Sequence, residues 1–366
     1  MKVKFSTKPL LTVLNRFSAV CGTNAVVSAT EGIIIDCSEN EATDTAVFIG
    51  TNLRTTLRIE FVGEIIKPGS FILPHRLLLD TIKNCGTDLV TIEANEQQAT
   101  VTAKGKYRMP VLAKLGFPVV DILDVDGITF RDDNLVWRIE KCLPFVSKNE
   151  MQPAMQGVNM FLAGTHGEFC GTDAHRLCVS RFVTHEDGSF NEILPAELCS
   201  LLKFATGYIT IGANEKSIIA SGYSNQHFIG DWKIRCTKID QRYPMYSVVI
   251  PANNPNTLKV SKTAFISSLR RVGIYSDSEA HSVDLVLTEG KEMGIQAISD
   301  NGEASEKLEC VYEGENMTIR FNGKLLVAAI NANSADEVVM KLGEATKAAV
   351  IEDRTDTILI MPLFVG

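Results

Sequence analysis

The stretch GTDAHRLCVSR, residues 171–181, gathers Asp173, His175 and Arg176 within four residues, with Thr172 before them and Cys178 after. A carboxylate, an imidazole and a guanidinium so close together are the parts of a hydrolytic site. His175 would be the base, Asp173 its orienting group and a serine the nucleophile. A metal site can be spelled from the same region. His166, Cys170, His175 and Cys178 are zinc-type ligands with three, four and two residues between them. Against the first reading, no Gly-x-Ser-x-Gly elbow presents a nucleophile. Against the second, Cys170 and Cys178 fit as small buried apolar residues on strands, and His166 sits in a Gly-flanked turn.

The elements that must position these residues recur along the chain. FILPHRLLLDTIKNCGTDLVTIEA from Phe71, EILPAELCSLLKFATGYITIGA from Glu192 and IRFNGKLLVAAINANSADEVVMKL from Ile319 each read as strand, helix, strand. Leu73, Leu194 and Phe321 are equivalent, at spacings of 121 and 127. A second marker, Thr or Ser followed by Asn or Asp, occurs at Thr51–Asn52, Thr172–Asp173 and Ser299–Asp300, with the same spacings. Asp173 therefore stands where two other copies place Asn52 and Asp300, which is how a turn residue behaves.

The front halves repeat as well. VKFSTKPLLTVLNRFSAV, ITFRDDNLVWRIEKCLPFV and LKVSKTAFISSLRRVGIY each give a strand, a polar cap cluster and apolar residues at helical spacing. Asp132 and Asp133 read as caps, and Pro9, Pro74 and Pro195 as first-turn prolines. The expected fold class is α+β, with three similar domains at 1–120, 127–248 and 249–366. Each has two helices packed on antiparallel sheets.

Composition bounds the function. The 366 residues are 45% hydrophobic and 22% charged, with no apolar run long enough to span a membrane and no secretory leader. The nine cysteines include no Cys-x-x-Cys pair, so reduced, buried thiols in a cytoplasmic protein are expected. The net charge is −8, which taken whole argues against a nucleic-acid partner. Its distribution reverses that. The six helical stretches 7–19, 74–84, 133–148, 195–205, 261–273 and 322–333 hold twelve Lys and Arg against four Asp and Glu. They carry +8 and leave −16 on the rest. Lys and Arg are good helix formers, but Glu is equally good and nearly absent from these stretches. A basic helical face suits a duplex backbone through counterion release, and an acidic exterior keeps the protein soluble. No zinc finger, recognition helix or aromatic stacking set is present to read bases.

The threefold repeat, TDAHRL, YPMYSVVIP (243–251) and the terminal ILIMPLFVG together resemble the bacterial DNA polymerase III beta subunit, the sliding-clamp family. The resemblance covers the whole chain. It implies a head-to-tail homodimer ring that encircles double-stranded DNA without sequence preference and tethers the polymerase for processive synthesis. No catalysis, cofactor, metal or membrane is implied. The implied partners are DNA, a second copy, the polymerase alpha subunit, the clamp loader, and other polymerases and repair proteins.

The same resemblance implies three surfaces. A partner-peptide pocket for a Gln- and Leu/Phe-containing segment would be formed by Met155, Thr172, His175, Arg176, Leu177, Pro244, Val249, Leu359, Met361, Pro362 and Leu363. The DNA-facing cations would be Lys8, Arg16, Arg76, Lys83, Arg138, Lys141, Lys148, Lys203, Lys262, Arg270, Arg271 and Lys324. The subunit contact would set Tyr107 and Met109 against Ile274 and Tyr275. Departures from the family pattern fall at the pocket rim, where Ser247 and Val248 follow the Tyr-Pro-x-Tyr segment and the chain ends Phe364, Val365, Gly366. Asn24 stands where a DNA-contacting Arg is common.

Overall fold

The computed structural model describes residues 1–22, 27–38, 44–118, 125–130, 133–224, 229–300 and 302–363, with the backbone alone at 133–134 and 185–187. Asn24, Asp132, Phe364, Val365 and Gly366 lie outside the described residues.

The chain begins with β1 (Lys2–Ser6), α1 (Thr7–Phe17), β2 (Gly32–Asp36), β3 (Thr45–Thr51), β4 (Thr55–Val62), β5 (Glu64–Lys67), β6 (Ser70–Pro74) and α2 (His75–Asn84). It continues through β7 (Leu89–Ala94), β8 (Gln98–Thr102), β9 (Lys106–Pro110), β10 (Gly127–Phe130), α3 (Asp133–Cys142), β11 (Gly157–Thr172), β12 (Arg176–Pro195) and α4 (Ala196–Leu201). Then come β13 (Ile209–Ala213), β14 (Ser217–Tyr223), β15 (Ile229–Thr237), β16 (Asn256–Ser261), α5 (Lys262–Val272), β17 (Ser282–Leu287), β18 (Gly290–Ser299) and β19 (Gly302–Glu313). The last elements are β20 (Met317–Asn322), α6 (Gly323–Ala332), β21 (Glu337–Leu342), β22 (Ala349–Asp353) and β23 (Asp356–Ile360).

The helices fall where apolar spacing places them, with corrected ends. On α1, Leu10, Val13, Leu14 and Phe17 are buried, at steps of three, one and three. Pro74 and Pro195 are not in first turns. They occupy the positions just before α2 and α4, with extended ψ, and end the preceding strands. The third helix stops at Cys142 rather than 148. Pro144 follows, has no N–H to give, and the chain tightens into a 3-10 turn over Leu143–Phe145. The fourth is only six residues, continued by a 3-10 turn over Leu202–Phe204.

Two compact units result: Met1–Trp137 with Leu194–Asp240, and Arg138–Ile193 with Gln241–Gly366. They are a different division from the three sequence repeats, because sheets run across the repeat boundaries. In the first unit a five-stranded sheet has the order β5-β1-β7-β8-β9. An eight-stranded sheet has the order β10-β13-β14-β15-β4-β3-β2-β6. The β15·β4 pairing, with Ile234 opposite Leu57 and Trp232 opposite Ile59, joins strands of the second repeat to the first. The second unit holds a ten-stranded sheet, β11-β12-β23-β22-β21-β16-β19-β18-β17-β20. There β12 pairs with β23, Leu177 opposite Leu359, and joins the second repeat to the third.

Alternation fills the cores. In β1, Val3 and Phe5 point inward and Lys2 and Lys4 outward. Phe5 packs against Phe48 and Phe61 at ring-centroid distances of 5.7 and 5.3 Å. His75 is buried at the start of α2, and its Nε2 is 2.8 Å from Leu14 O, which ties the two helices together. All nine cysteines are reduced and buried. No helix among the described residues is long and apolar enough to cross a membrane.

Candidate functional site

The Asp173 carboxylate is occupied by the turn it sits in. Its Oδ1 accepts from the backbone N–H groups of His175 and Arg176, both at 3.1 Å, and its Oδ2 accepts from Arg176 Nε at 2.9 Å. Thr172 Oγ1 donates to Arg176 O at 2.8 Å and accepts from Ala174 N–H at 3.2 Å. The first repeat makes the same bonds. Asn52 Oδ1 accepts from the N–H groups of Arg54 and Thr55, and Thr51 Oγ1 donates to Thr55 O and accepts from Leu53 N–H. Even the strained residue is shared, with φ of 77° at Leu53 and 72° at Ala174. The stretch that resembles a triad is one copy of a repeated β-hairpin turn. The third copy differs: Ser299 pairs directly with Gly302, so that loop is shorter.

The zinc-type ligands are dispersed. Cys170 lies in an apolar cluster with Leu177 and Val179, while Cys178 meets Cys142 at 3.8 Å between sulfurs. His166 and His175 are both exposed. Among the described residues no three His, Cys, Asp or Glu side chains stand close enough to hold a metal ion.

The turn borders a cleft of about 500 Å³ in the second unit. It is lined by Met155, Thr172, Ala174, Arg176, Leu177, Pro244, Met245, Tyr246, Val249, Pro251, Thr346, Lys347, Ala348, Leu359 and Met361. Eight of the eleven residues expected in a pocket come together here. Three do not line it. His175 offers its carbonyl to Met361 N–H at 2.8 Å, Leu363 is tied by its N–H to Arg320 O, and Pro362 is buried. The floor is the cluster of Cys170, Leu177, Val179, Ala348, Val350 and Leu359, with Tyr243, Tyr246, Ile250 and Met361 packed on it. The wall from 346 to 348 was not foreseen. Asn254 shapes it, with Nδ2 donating to Ala348 O at 2.9 Å and to Lys341 O at 3.1 Å.

The polar groups of the cleft are fixed. Arg176 donates to Pro144 O at 2.6 Å and stacks on Phe145 with its guanidinium carbon 5.0 Å from the ring centroid. Tyr243 donates to Cys170 O at 2.9 Å, and Tyr246 donates to Glu168. Burial pushes both phenols up, so they stay protonated donors. The result is a preformed apolar slot with few polar groups, suited to an apolar side chain of a partner segment. It presents no nucleophile–base pair.

Residues 247–363 match the family of the DNA polymerase III beta subunit, C-terminal domain. A beta sliding clamp of Staphylococcus epidermidis is 25% identical over 349 residues, 91% of each chain. One of Vibrio cholerae is 23% identical over 383 residues, 99% of this chain and all of its own. Among solved structures, a sliding clamp (DNA polymerase III subunit beta) from Pseudomonas aeruginosa bound to griselimycin has a TM-score of 0.88 at 21% identity. It covers all of both chains. A sliding clamp from Bacillus subtilis has a TM-score of 0.86 at 20% identity with the same coverage.

The chain belongs to the beta sliding clamp family.

For a sliding clamp the helix cations matter, and the twelve expected to face DNA divide three ways. Lys8, Arg76, Lys83, Lys148, Lys203, Arg270, Arg271 and Lys324 are exposed, while Arg16, Arg138 and Lys262 are half-buried. Lys141 corrects the expectation. Its side chain is 3% exposed, and its Nζ lies 2.7 Å from Asp353 and 2.6 Å from Asp356, so it is not available to a phosphate. Arg16, Lys141 and Arg271 are repeat-equivalent, each preceding the last buried residue of its helix (Phe17, Cys142, Val272). Each is engaged within its own unit. Arg16 lies over Phe204 at 4.0 Å, and Arg271 forms a bidentate pair with Glu306 at 2.7 Å. Burial lowers the Arg16 guanidinium to about 10.

Of the expected subunit-contact residues, Tyr107, Ile274 and Tyr275 are exposed at 40%, 77% and 43%. Met109 is turned into the first unit and is only 2% exposed, so its side chain offers nothing to a second copy.

Proposed function

We propose that this protein is a DNA sliding clamp that encircles duplex DNA and tethers the replicative polymerase, and that it is not an enzyme. It acts as a head-to-tail homodimer of three-domain subunits (1–120, 127–248 and 249–366). The cleft takes a Gln- and Leu/Phe-containing segment of the polymerase alpha subunit, the clamp loader or other polymerases and repair proteins.

The observation that carries the reading is an unfinished series of strand pairings. By the repeat spacings, β4, β12 and β19 are equivalent, and so are β15, β23 and β9. Within one chain β4 pairs with β15 and β12 with β23, both antiparallel. That leaves β19 and β9. The first nine residues of β19 pair only with β18, since β16 meets it only at Val311, Tyr312 and Glu313. β9 ends its sheet. A second copy completes both edges, and only a head-to-tail arrangement does so twice with the same contact. Carrying the two intrachain registers over places Tyr107 opposite the partner's Ser305 and Lys106 opposite the partner's Glu306. The charges agree, with Lys106 and Arg108 on one edge and Glu303, Glu306 and Glu309 on the other.

Light scattering on the purified protein, with retention on nicked circular and linear duplex, tests the reading. A mass twice 40.1 kDa is expected, together with retention on the circle after loading and loss from free ends. A monomer at micromolar concentration, or equal loss from both DNAs, overturns it.

A further inference from the structure

A second groove, of about 570 Å³, lies beyond the cleft in the same unit and is lined by residues that the clamp reading leaves without a role. Those that bear on its chemistry are Arg181, His166, Glu168, Phe161, Val183 and Thr355. Two observations connect it to the cleft. Tyr246 lines the cleft, and its hydroxyl donates to Glu168, which lines the groove. The paired strands β12 and β23 also serve both, with Leu177 and Leu359 at the cleft, then Arg181 and Thr355 four residues along at the groove. Alternate residues of a strand share a face, so Leu177, Val179, Arg181 and Val183 form one row. Its first two members are buried and its last two exposed.

The groove has the makings of a recognition surface. The Arg181 side chain is 45% exposed yet held in place, with NH1 donating to Thr355 O at 3.2 Å and Thr357 Oγ1 at 3.0 Å and Nε 3.5 Å from Glu168. A cation fixed before binding loses little freedom when an anion arrives. Beside it Val183 is 68% and Phe161 39% exposed, apolar surface on strands where water is the only described neighbour on the open side.

We propose that the partner segment anchored in the cleft continues into this groove, and that its flank carries an acidic residue for Arg181 followed by an apolar residue for Val183 and Phe161. The inference rests on the peptide-cleft reading and extends it. Four strand residues span about 13 Å, so the acidic residue lies about four positions from the anchor in an extended segment. Glu168 does not repel it outright, because its charge is already shared by Tyr246 and Arg181.

Fluorescence anisotropy with three labelled peptides tests this on the full-length protein. One is the anchor alone, Gln–Leu–Ser–Leu–Phe. The others add a Ser–Ser–Ser–Asp–Ser–Leu reach on the C-terminal side, or its reverse on the N-terminal side. One extended peptide is expected to bind about fivefold tighter than the anchor. Arg181→Ala and Val183→Ser should each reduce that gain while leaving anchor-only binding unchanged, and the Arg181 part of the gain should fade with salt. Equal affinities for all three peptides, or an Arg181→Ala loss as large for the anchor as for the extended peptide, overturn the extension and spare the cleft. An anchor peptide that does not bind overturns the cleft reading, and the extension with it.

Discussion

Lys141 Nζ stands 2.6 Å from Asp356 Oδ2, in a place where neither side chain is more than 4% exposed. Asp353 completes the cluster at 2.7 Å, and Asp356 also accepts from Ser180 Oγ and Arg181 N–H. The cluster pins the β22–β23 hairpin, whose far end supplies Leu359 to the cleft, against the end of α3.

Lys141→Met should therefore destabilise the protein by about 3–5 kcal/mol, because it leaves two buried carboxylates without their counter-charge. Urea unfolding followed by circular dichroism reads this. A change below about 1 kcal/mol would contradict the buried arrangement.

The pH dependence has two edges. Burial alone would raise the Asp353 carboxyl, yet hydrogen bonds from Lys141 and Ser334 hold it below its ordinary value. Its contribution is present above the unfolded value of about 3.9 and is lost as pH falls through the lower folded value. Burial alone would lower Lys141, yet its two aspartates raise it. That contribution is present below about 10.4 and is lost as pH rises through the higher folded value. Wild-type stability from this cluster should be flat from about pH 5 to 9, and Lys141→Met should flatten both edges.

The repeated turn gives paired expectations. Asp173→Ala and Asn52→Ala each remove the acceptor for two amides and should each cost about 1–2 kcal/mol. His175→Ala should change stability by less than about 0.5 kcal/mol. Leu53→Gly, at φ of 77°, should gain up to about 1 kcal/mol by relieving left-handed strain. Thermal melts of the four proteins compare them directly.

The register of self-association can be read by cross-linking. Tyr107→Cys with Ser305→Cys should give a covalent dimer, and a circular one when both contacts close. Tyr107→Cys with Glu303→Cys should not, being two residues out of step. Equal yields from the two pairs would refute the transferred register.

Native thiols should not interfere. All nine are buried, and burial pushes Cys21, Cys37 and Cys236 to about 12. A chromogenic disulfide at pH 8 should react with almost none in the native protein and with nine after denaturation.

Removing residues 361–366 takes away Met361 and the strand end that fastens to His175. Partner-peptide binding should fall below detection while the solution mass of the dimer holds.

Local patterns were legible because they depend on neighbours in sequence. The helices, the repeated turn and eight cleft residues follow from spacing, caps and resemblance. The misses depend on distant chain. Lys141 counts as a surface cation until its acids, 212 and 215 residues away, are brought to it. Thr346, Lys347 and Ala348 join the cleft only because Asn254 ties that loop down. Met109 alternates inward on a strand whose outer edge alone is open, a distinction that needs the strand's register with β8.

The pairing of β4 with β15 separates two things that a linear chain usually combines, being joined and being held. The first and second repeats are connected by the peptide between β9 and β10, but they are clasped elsewhere, through a ladder that peptide takes no part in. A protease that severed the connection would leave the halves married, and the same fold could be delivered as shorter polypeptides that find each other by their margins.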